Sequence, residues 1–234
     1  MNYIVLNGKN SRYIQGLLIQ KLPPISKPQM RIDIEEIDGR DGDIITDLGY
    51  KSYDKTITVG LYRGYDINDV IDFFNSEGKV IFSNEPYLYY KYKIFQQIDF
   101  ARLVRFRTAN VAMHVQPFKY STTETPLTYE IADGQSSIKV INTGNYKSKP
   151  KMTIHGTGTI GIGVNGVSIF SIALGSEGYI TIDTENLEAY KGNVLKNRIV
   201  TGNYDAFALQ KGENIITMTG DVSEIEIENY SRWI

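Results

Sequence analysis

Gly39-Arg40-Asp41-Gly42-Asp43 interrupts a run of alternating apolar and polar residues, and the fold can be deduced outward from it. In residues 30–37, Ile32 and Ile34 alternate with charged residues, as in a half-buried strand, and a second apolar pair, Ile44-Ile45, follows the motif. Glycine adopts positive φ at no steric cost, so two glycines within four residues favour a tight reversal. An arginine beside two aspartates allows a charge-paired turn. The sequence therefore predicts a two-glycine hairpin loop.

Strand patterns surround this motif. Residues 53–62 alternate apolar and polar positions, and strands are also predicted over residues 1–6, 17–19, 79–82, 87–92, 94–100 and 103–115. The one predicted helix covers residues 67–75. Asp66 is a good N-cap, the apolar residues at 67, 70, 71 and 74 form a stripe, and Gly78 is expected to end the helix.

The second half of the chain carries no helix pattern. A polar and proline-bearing stretch, residues 117–126, suggests a boundary, so we expect one domain over residues 1–120 and a second over residues 121–234. Short strands separated by turn residues indicate a β-sandwich in the second domain. They are expected at 137–141, 150–155, 167–172, 179–182, 188–190, 215–218 and 224–228. The fold class is mainly β: a β-sandwich-like domain with one short α-helix, followed by an all-β sandwich.

Composition excludes several classes of function. The chain has 234 residues, a net charge of −2 and no cysteine. The absence of cysteine rules out disulfides, thiolate metal sites and cysteine nucleophiles. The near-zero charge gives no bias towards nucleic acids or membranes. No apolar run is long enough for a membrane span, and we expect no secretion signal at the N-terminus.

Motifs that could carry chemistry are better explained structurally. Gly156 to Gly161 matches a dinucleotide fingerprint, but Asn165-Gly166, a hairpin signal, follows where a helix would be needed. His114 and His155 fall in predicted strands. The aspartates near Arg40 miss the spacing of a calcium loop. We therefore expect no catalytic residue, no cofactor and no metal, and a protein that is not an enzyme.

A cluster of tyrosines has two interpretations. Tyr87, Tyr89, Tyr90 and Tyr92 occur within six residues. Tyrosine is enriched at protein interfaces, so these rings are possible interface aromatics. Tyrosine is also a good strand residue with one polar end. The sequence leaves both interpretations open.

Residues 1–120 resemble the N-terminal domain of bacteriophage distal tail proteins, from the tail tip of long non-contractile tails. The resemblance rests on an ordered set of segments. They are Tyr3-Ile4-Val5-Leu6-Asn7-Gly8, Pro23-Pro24-Ile25, Ile37-Asp38-Gly39-Arg40-Asp41-Gly42-Asp43, the strand at 55–61 that leads to the helix, and Gly78-Lys79-Val80-Ile81-Phe82. Residues 121–234 are similar only in type, to galectin-like or carbohydrate-binding sandwiches.

The resemblance implies a structural virion protein of the tail tip, or baseplate. Such proteins form a ring, typically a hexamer, between the tail tube protein and the tail-associated hub protein, and some hold receptor-binding proteins. The implied location is the virion, with assembly in the host cytoplasm, without sequence-specific nucleic-acid contact or membrane insertion. The loop Gly39, Arg40, Asp41, Gly42 and Asp43 would lie at or near the ring contacts. The alternative is a saccharide-binding module for host cell-wall attachment.

Overall fold

The computed structural model describes residues 1–234 and is mainly β, as predicted. The chain divides into two compact units: residues 1–122 together with Ile234, and residues 123–233. Each unit has its own hydrophobic core. None of the helices is long and apolar enough to cross a membrane.

The first unit is built on one antiparallel sheet of seven strands, in the order β2-β1-β7-β8-β9-β6-β3. Its elements are β1 (Ile4–Leu6), β2 (Lys9–Asn10), β3 (Leu17–Lys21), β4 (Met30–Glu36), β5 (Asp43–Tyr50), β6 (Tyr53–Leu61), α1 (Ile67–Phe74), β7 (Glu77–Phe82), β8 (Leu88–Lys93), α2 (Phe100–Phe106) and β9 (Thr108–Ser121). Alternate residues of β6 and β9 enter the core, among them Ile57, Val59, Val111 and Met113. The alternating pattern therefore sets the buried face of the sheet.

Helix α1 begins where predicted and packs slightly differently. The Asp66 side chain accepts a hydrogen bond from the Asn68 backbone N–H at 2.8 Å, which satisfies a free helix-end donor. The buried residues are Val70, Phe73 and Phe74. Ile71 is exposed, because the helix is rotated so that Phe73 takes the inner position. Gly78 does not end the helix; it lies within β7.

The first unit has two α-helices, so the prediction of a single helix was wrong. Residues 94–100 are not a strand, and the predicted strand at 103–115 begins only at Thr108. Asp99 caps α2 by accepting from the Arg102 backbone N–H at 2.7 Å, and Leu103 is its buried anchor. A helix of two turns carries too few apolar positions for its period to be distinguished from strand alternation.

Strands β4 and β5 form a separate two-stranded hairpin that joins no other sheet. The loop motif lies at its tip, as predicted. Nearly every residue of both strands is exposed.

The second unit is a nine-stranded antiparallel assembly centred on two long strands. Its strands are β10 (Leu127–Glu130), β11 (Ser137–Asn142), β12 (Lys151–Val164), β13 (Val167–Gly175), β14 (Tyr179–Asp183), β15 (Glu188–Lys191), β16 (Val194–Leu195), β17 (Val200–Gly202) and β18 (Gly212–Glu228). Two predicted strands, 215–218 and 224–228, are parts of the single strand β18. Bulges in its pairing with β12 let one strand bend through the whole unit.

The glycine-rich segment at 156–161 lies inside β12, and Asn165-Gly166 forms the turn to β13. Both turn residues have positive φ, as the hairpin interpretation requires.

Candidate assembly surface

The conformation of the loop at the tip of the β4–β5 hairpin is set by its backbone dihedral angles and a backbone hydrogen bond. Gly39 and Gly42 have φ of 80° and 79°, which a residue with a Cβ would adopt only with strain. The Arg40 backbone N–H donates to the Ile37 carbonyl at 3.1 Å. The expected ion pair is not formed: none of the ion pairs in the chain involves Arg40, Asp41 or Asp43. The guanidinium and the carboxylates of the tip therefore point into solvent.

The body of the hairpin has one apolar face. Ile34 lies directly opposite Ile45, and Ile32 is two residues along β4 on the same side. Their exposed fractions are 44% for Ile32, 51% for Ile34 and 61% for Ile45. An isolated two-stranded hairpin is at best marginally stable in water. This apolar face therefore lacks the covering layer that its residue pattern calls for.

The opposite face and the tip of the hairpin are acidic. Between residues 30 and 50 there are seven Asp or Glu and two Arg, a net charge of −5. Asp33 and Glu35 project from the face opposite the isoleucines. On the isoleucine face itself, Asp47 lies directly opposite Ile32, and Glu36 is two residues along β4 from Ile34. The apolar strip is therefore bordered by carboxylates.

The base of the hairpin is anchored to the first unit by a buried lysine. Lys55 Nζ donates to the Pro24 carbonyl at 2.9 Å and lies 4.9 Å from the centre of the Tyr90 ring. The Asn84 side chain donates to the Pro23 carbonyl at 3.0 Å. The two prolines of the pre-hairpin segment are therefore tied to the sheet, which restricts where the hairpin can start.

This anchoring cluster contains a second buried lysine and one carboxylate. Lys119 Nζ lies 2.8 Å from Glu85 Oε1, and the Tyr90 hydroxyl donates to Glu85 Oε2 at 2.9 Å. Burial lowers the pKa of Lys55, and Lys119 lowers it further while Glu85 opposes the shift. Burial also raises the pKa of Tyr90 far above its ordinary value. Every polar atom named here has a partner, as buried polar groups require.

The four tyrosines singled out from the sequence do not form one exposed patch. Tyr90 and Tyr92 are core residues, and the Tyr92 hydroxyl is hydrogen-bonded to Ser76 Oγ at 2.5 Å. Tyr89 is buried by stacking on Tyr120, with ring centres 5.5 Å apart. Tyr87 alone is exposed, at 72%. Tyr90 and Tyr92 are two residues apart on β8, so strand alternation directs both into the core.

The outer face of β7 and β8 is basic. Lys79 and Lys91 lie directly opposite each other, and their ammonium groups lie 4.6 Å from the Tyr89 ring centre and 5.0 Å from the Tyr120 ring centre. Together with Lys93 and Phe95 they line a groove of about 480 Å³. We call this set, Lys79, Lys91, Lys93 and Phe95, the lysine groove.

The two histidines have local partners. His114 Nδ1 lies 2.8 Å from Asp54 Oδ1, and the His155 ring stacks on Tyr179 with centres 5.3 Å apart. Nowhere in the chain do three His, Asp or Glu side chains gather so as to hold a metal ion.

Two buried asparagines were missed by the sequence analysis. The Asn142 side-chain amide donates to the carbonyls of Tyr146 and Leu209, at 2.9 and 3.1 Å, and its oxygen accepts from the Gly144 N–H at 2.8 Å. Asn214 likewise donates to the Gln210 carbonyl at 2.8 Å. The signal that could have found them is weak, because an asparagine two residues from a glycine is also an ordinary turn pattern. Both residues fasten loops of the second unit.

No known protein family matches the sequence, and no curated protein matches it. Among solved structures, the chain is similar to SPP1 Dit (gp 19.1), described as a paradigm of the hub adsorption apparatus in phages that infect Gram-positive bacteria. The similarity covers 100% of both chains, with a TM-score of 0.65 and 13% identity. It is also similar to the phage P2 baseplate in its activated, calcium-bound conformation, over 100% of this chain and 98% of that one, with a TM-score of 0.44 and 12% identity.

The comparison with SPP1 Dit shows that the chain has the Dit-like fold. This confirms the fold that the sequence resemblance led us to expect. At 13% identity the likeness concerns the fold alone.

Proposed function

We propose that the chain is a structural, non-enzymatic protein of a phage tail tip that assembles into a homo-oligomeric ring, most simply a hexamer. In this proposal the ring joins the tail tube protein to the tail-associated hub protein and carries the receptor-binding apparatus. Residues 1–120 supply the ring contacts and residues 121–234 hold attachment partners. The protein is assembled in the host cytoplasm and functions in the virion.

The observation that carries the proposal is the β4–β5 hairpin. Its apolar face, Ile32, Ile34 and Ile45, is about half exposed, and no other sheet of the chain pairs with it. An apolar strip on an unpaired strand pair is an aggregation hazard unless a partner covers it. A second copy of the chain is the simplest partner. If the hairpin of each subunit contacts a different surface on the next subunit, the interface is heterologous, and such interfaces close into a ring when the rotation between neighbouring subunits permits it. The Dit-like fold supports the same role.

The alternative, a saccharide-binding module, has less support. Sugar recognition commonly uses exposed aromatic rings for stacking. In residues 123–233 every Tyr, Phe and Trp side chain is buried or half-buried. The exposed apolar side chains there are aliphatic, such as Val194 and Leu195.

The test is the oligomeric state of the full chain. Light scattering after size exclusion, over a wide range of protein concentration, is expected to show a discrete species near six times the 26.5 kDa chain mass. Negative-stain images of that species should show rings. A chain that stays monomeric at all concentrations, and also with tail tube and hub proteins added, would rule out the ring.

A further inference from the structure

An arginine–aromatic surface covers α2 and the end of β6. The Arg107 guanidinium lies 5.0 Å from the centre of the Tyr65 ring, and the guanidinium groups of Arg105 and Arg102 lie 5.2 and 5.9 Å from that of Phe106. The Leu61 N–H donates to the Arg107 carbonyl at 3.3 Å, so the chain at Leu61 and Tyr62 runs next to Arg107. The surface is defined by Tyr62, Tyr65, Arg102, Arg105, Phe106 and Arg107.

This surface exposes both apolar area and positive charge. Phe106 is 59% exposed and Tyr62 is 52% exposed. Asp66 and Asp99, which flank this surface in the sequence, accept backbone hydrogen bonds as the N-caps of α1 and α2. No ion pair of the chain involves Arg102, Arg105 or Arg107, so these arginines remain available to outside carboxylates. Tyrosine and arginine are the residue types that dominate interface energetics.

We propose that the arginine–aromatic surface of one subunit receives the β4–β5 hairpin of the next. The inference rests on the proposed ring and names the contact that builds it. The charges are complementary: the hairpin has a net charge of −5, and the surface carries three arginines. The apolar parts also match, since Ile32, Ile34 and Ile45 form a strip that the exposed rings of Phe106 and Tyr62 can cover.

The hairpin has the size that such a contact needs. A strand of seven residues such as β4 spans roughly 20 Å. A standard interface uses roughly 20–30 residues on each partner, about the number in the hairpin with its loop. Arginine forms bidentate pairs with carboxylates, and its guanidinium loses hydration more readily than an ammonium. The surface is therefore suited to the carboxylates beside the isoleucine strip.

The lysine groove is the competing acceptor, and it fits less well. One of its cations, Lys93, is already paired with Glu77 at 2.6 Å. Tyr89 and Tyr120 are buried, so Phe95 alone offers an exposed ring there. The groove supplies charge with little open apolar area.

Charge reversal tests the proposal. In sedimentation velocity over a concentration series, R102E/R105E is expected to weaken association on the order of 100-fold, because like charges would then face each other. R102Q/R105Q, which disturbs the helix less, should weaken it by a smaller factor. The matched control K79E/K91E makes the same charge change in the same unit and should leave association within a few-fold of the wild type. Thermal unfolding of each variant checks that the unit is folded.

The decisive variant exchanges the charges of the two surfaces, with lysines on the hairpin and glutamates on the arginine–aromatic surface. E36K/D47K, which changes two carboxylates on the isoleucine face, should weaken association by itself, and E36K/D47K/R102E/R105E should recover most of it, because each contact again joins opposite charges. Association of R102E/R105E at wild-type strength, equal weakening by K79E/K91E, or no recovery in the combined variant would each overturn this acceptor surface and leave the ring itself standing. A wild-type chain that never associates would instead overturn the proposed function.

Discussion

The exposed isoleucine strip of the hairpin allows a quantitative prediction. Ile32, Ile34 and Ile45 each keep about half of their surface exposed in the single chain. Full burial of an isoleucine side chain contributes about 2 kcal/mol, so covering the remaining half contributes about 1 kcal/mol for each residue. Replacing all three by serine should therefore cost about 3 kcal/mol per subunit contact, or roughly 150-fold in association.

The I32S/I34S/I45S variant should remain folded. None of the three residues belongs to either hydrophobic core, so the thermal unfolding midpoint should stay close to that of the wild type. The concentration at which the oligomer forms, followed by sedimentation velocity or light scattering, should rise by about the factor given above.

A matched control distinguishes this contact from nonspecific hydrophobic association. Val167, Val194 and Leu195 are 59%, 60% and 64% exposed and lie in the second unit, away from the hairpin in sequence. V167S/V194S/L195S removes a similar apolar area and should leave association nearly unchanged. The reasoning is refuted if the hairpin variant associates at wild-type concentrations, or if the control weakens association as much.

Three further predictions concern the stability of the two units. Lys55 has a lower pKa in the folded chain than its ordinary 10.5. At pH values between the folded and the unfolded pKa, the unfolded chain therefore binds more protons than the folded one, and the free energy of unfolding rises with pH. Urea titrations at several pH values should show this rise for the wild type relative to K55M. Y90F removes a buried hydrogen bond to a carboxylate and should cost about 1.5–3 kcal/mol, whereas Y87F, at an exposed site, should cost less than about 0.5 kcal/mol in the same titration. N142L removes the three hydrogen bonds that Asn142 makes to backbone groups and leaves the Gly144 N–H without its acceptor, so it should cost about 2–3 kcal/mol. N193A, at an exposed position, is the near-neutral control, and equal midpoints for the two variants in thermal unfolding would contradict the network.

Local signals in the sequence identified much of the first unit. The alternation in residues 53–62, the Asp66 cap before α1, and the positive-φ turn at Asn165-Gly166 all depend on neighbours within a few residues. Such patterns are visible without knowing what the chain packs against. The glycines of the hairpin loop are also a local signal, because the ability to adopt positive φ comes from the residue itself, which has no Cβ.

Elements that depend on distant contacts were missed or misplaced. Helix α2 exists because Leu103 finds a buried site on the sheet, although its sequence also suits a strand. Strand β18 is continuous because β12 pairs with it across two irregularities. Tyr90 and Tyr87 are the same residue type in one short segment, yet only the packing of the sheet decides which is buried.

The β4–β5 hairpin shows most clearly which features depend on local sequence and which depend on tertiary contacts. By itself the sequence determined that residues on either side of Gly39-Arg40-Asp41-Gly42-Asp43 would form two strands with an apolar side, because alternation and positive φ are local properties. The same pattern describes a strand in any sheet. Only the tertiary structure decided that no layer of this chain covers the isoleucines, because burial of a strand face is set by the element packed against it, and that element comes from elsewhere in the chain or from another molecule.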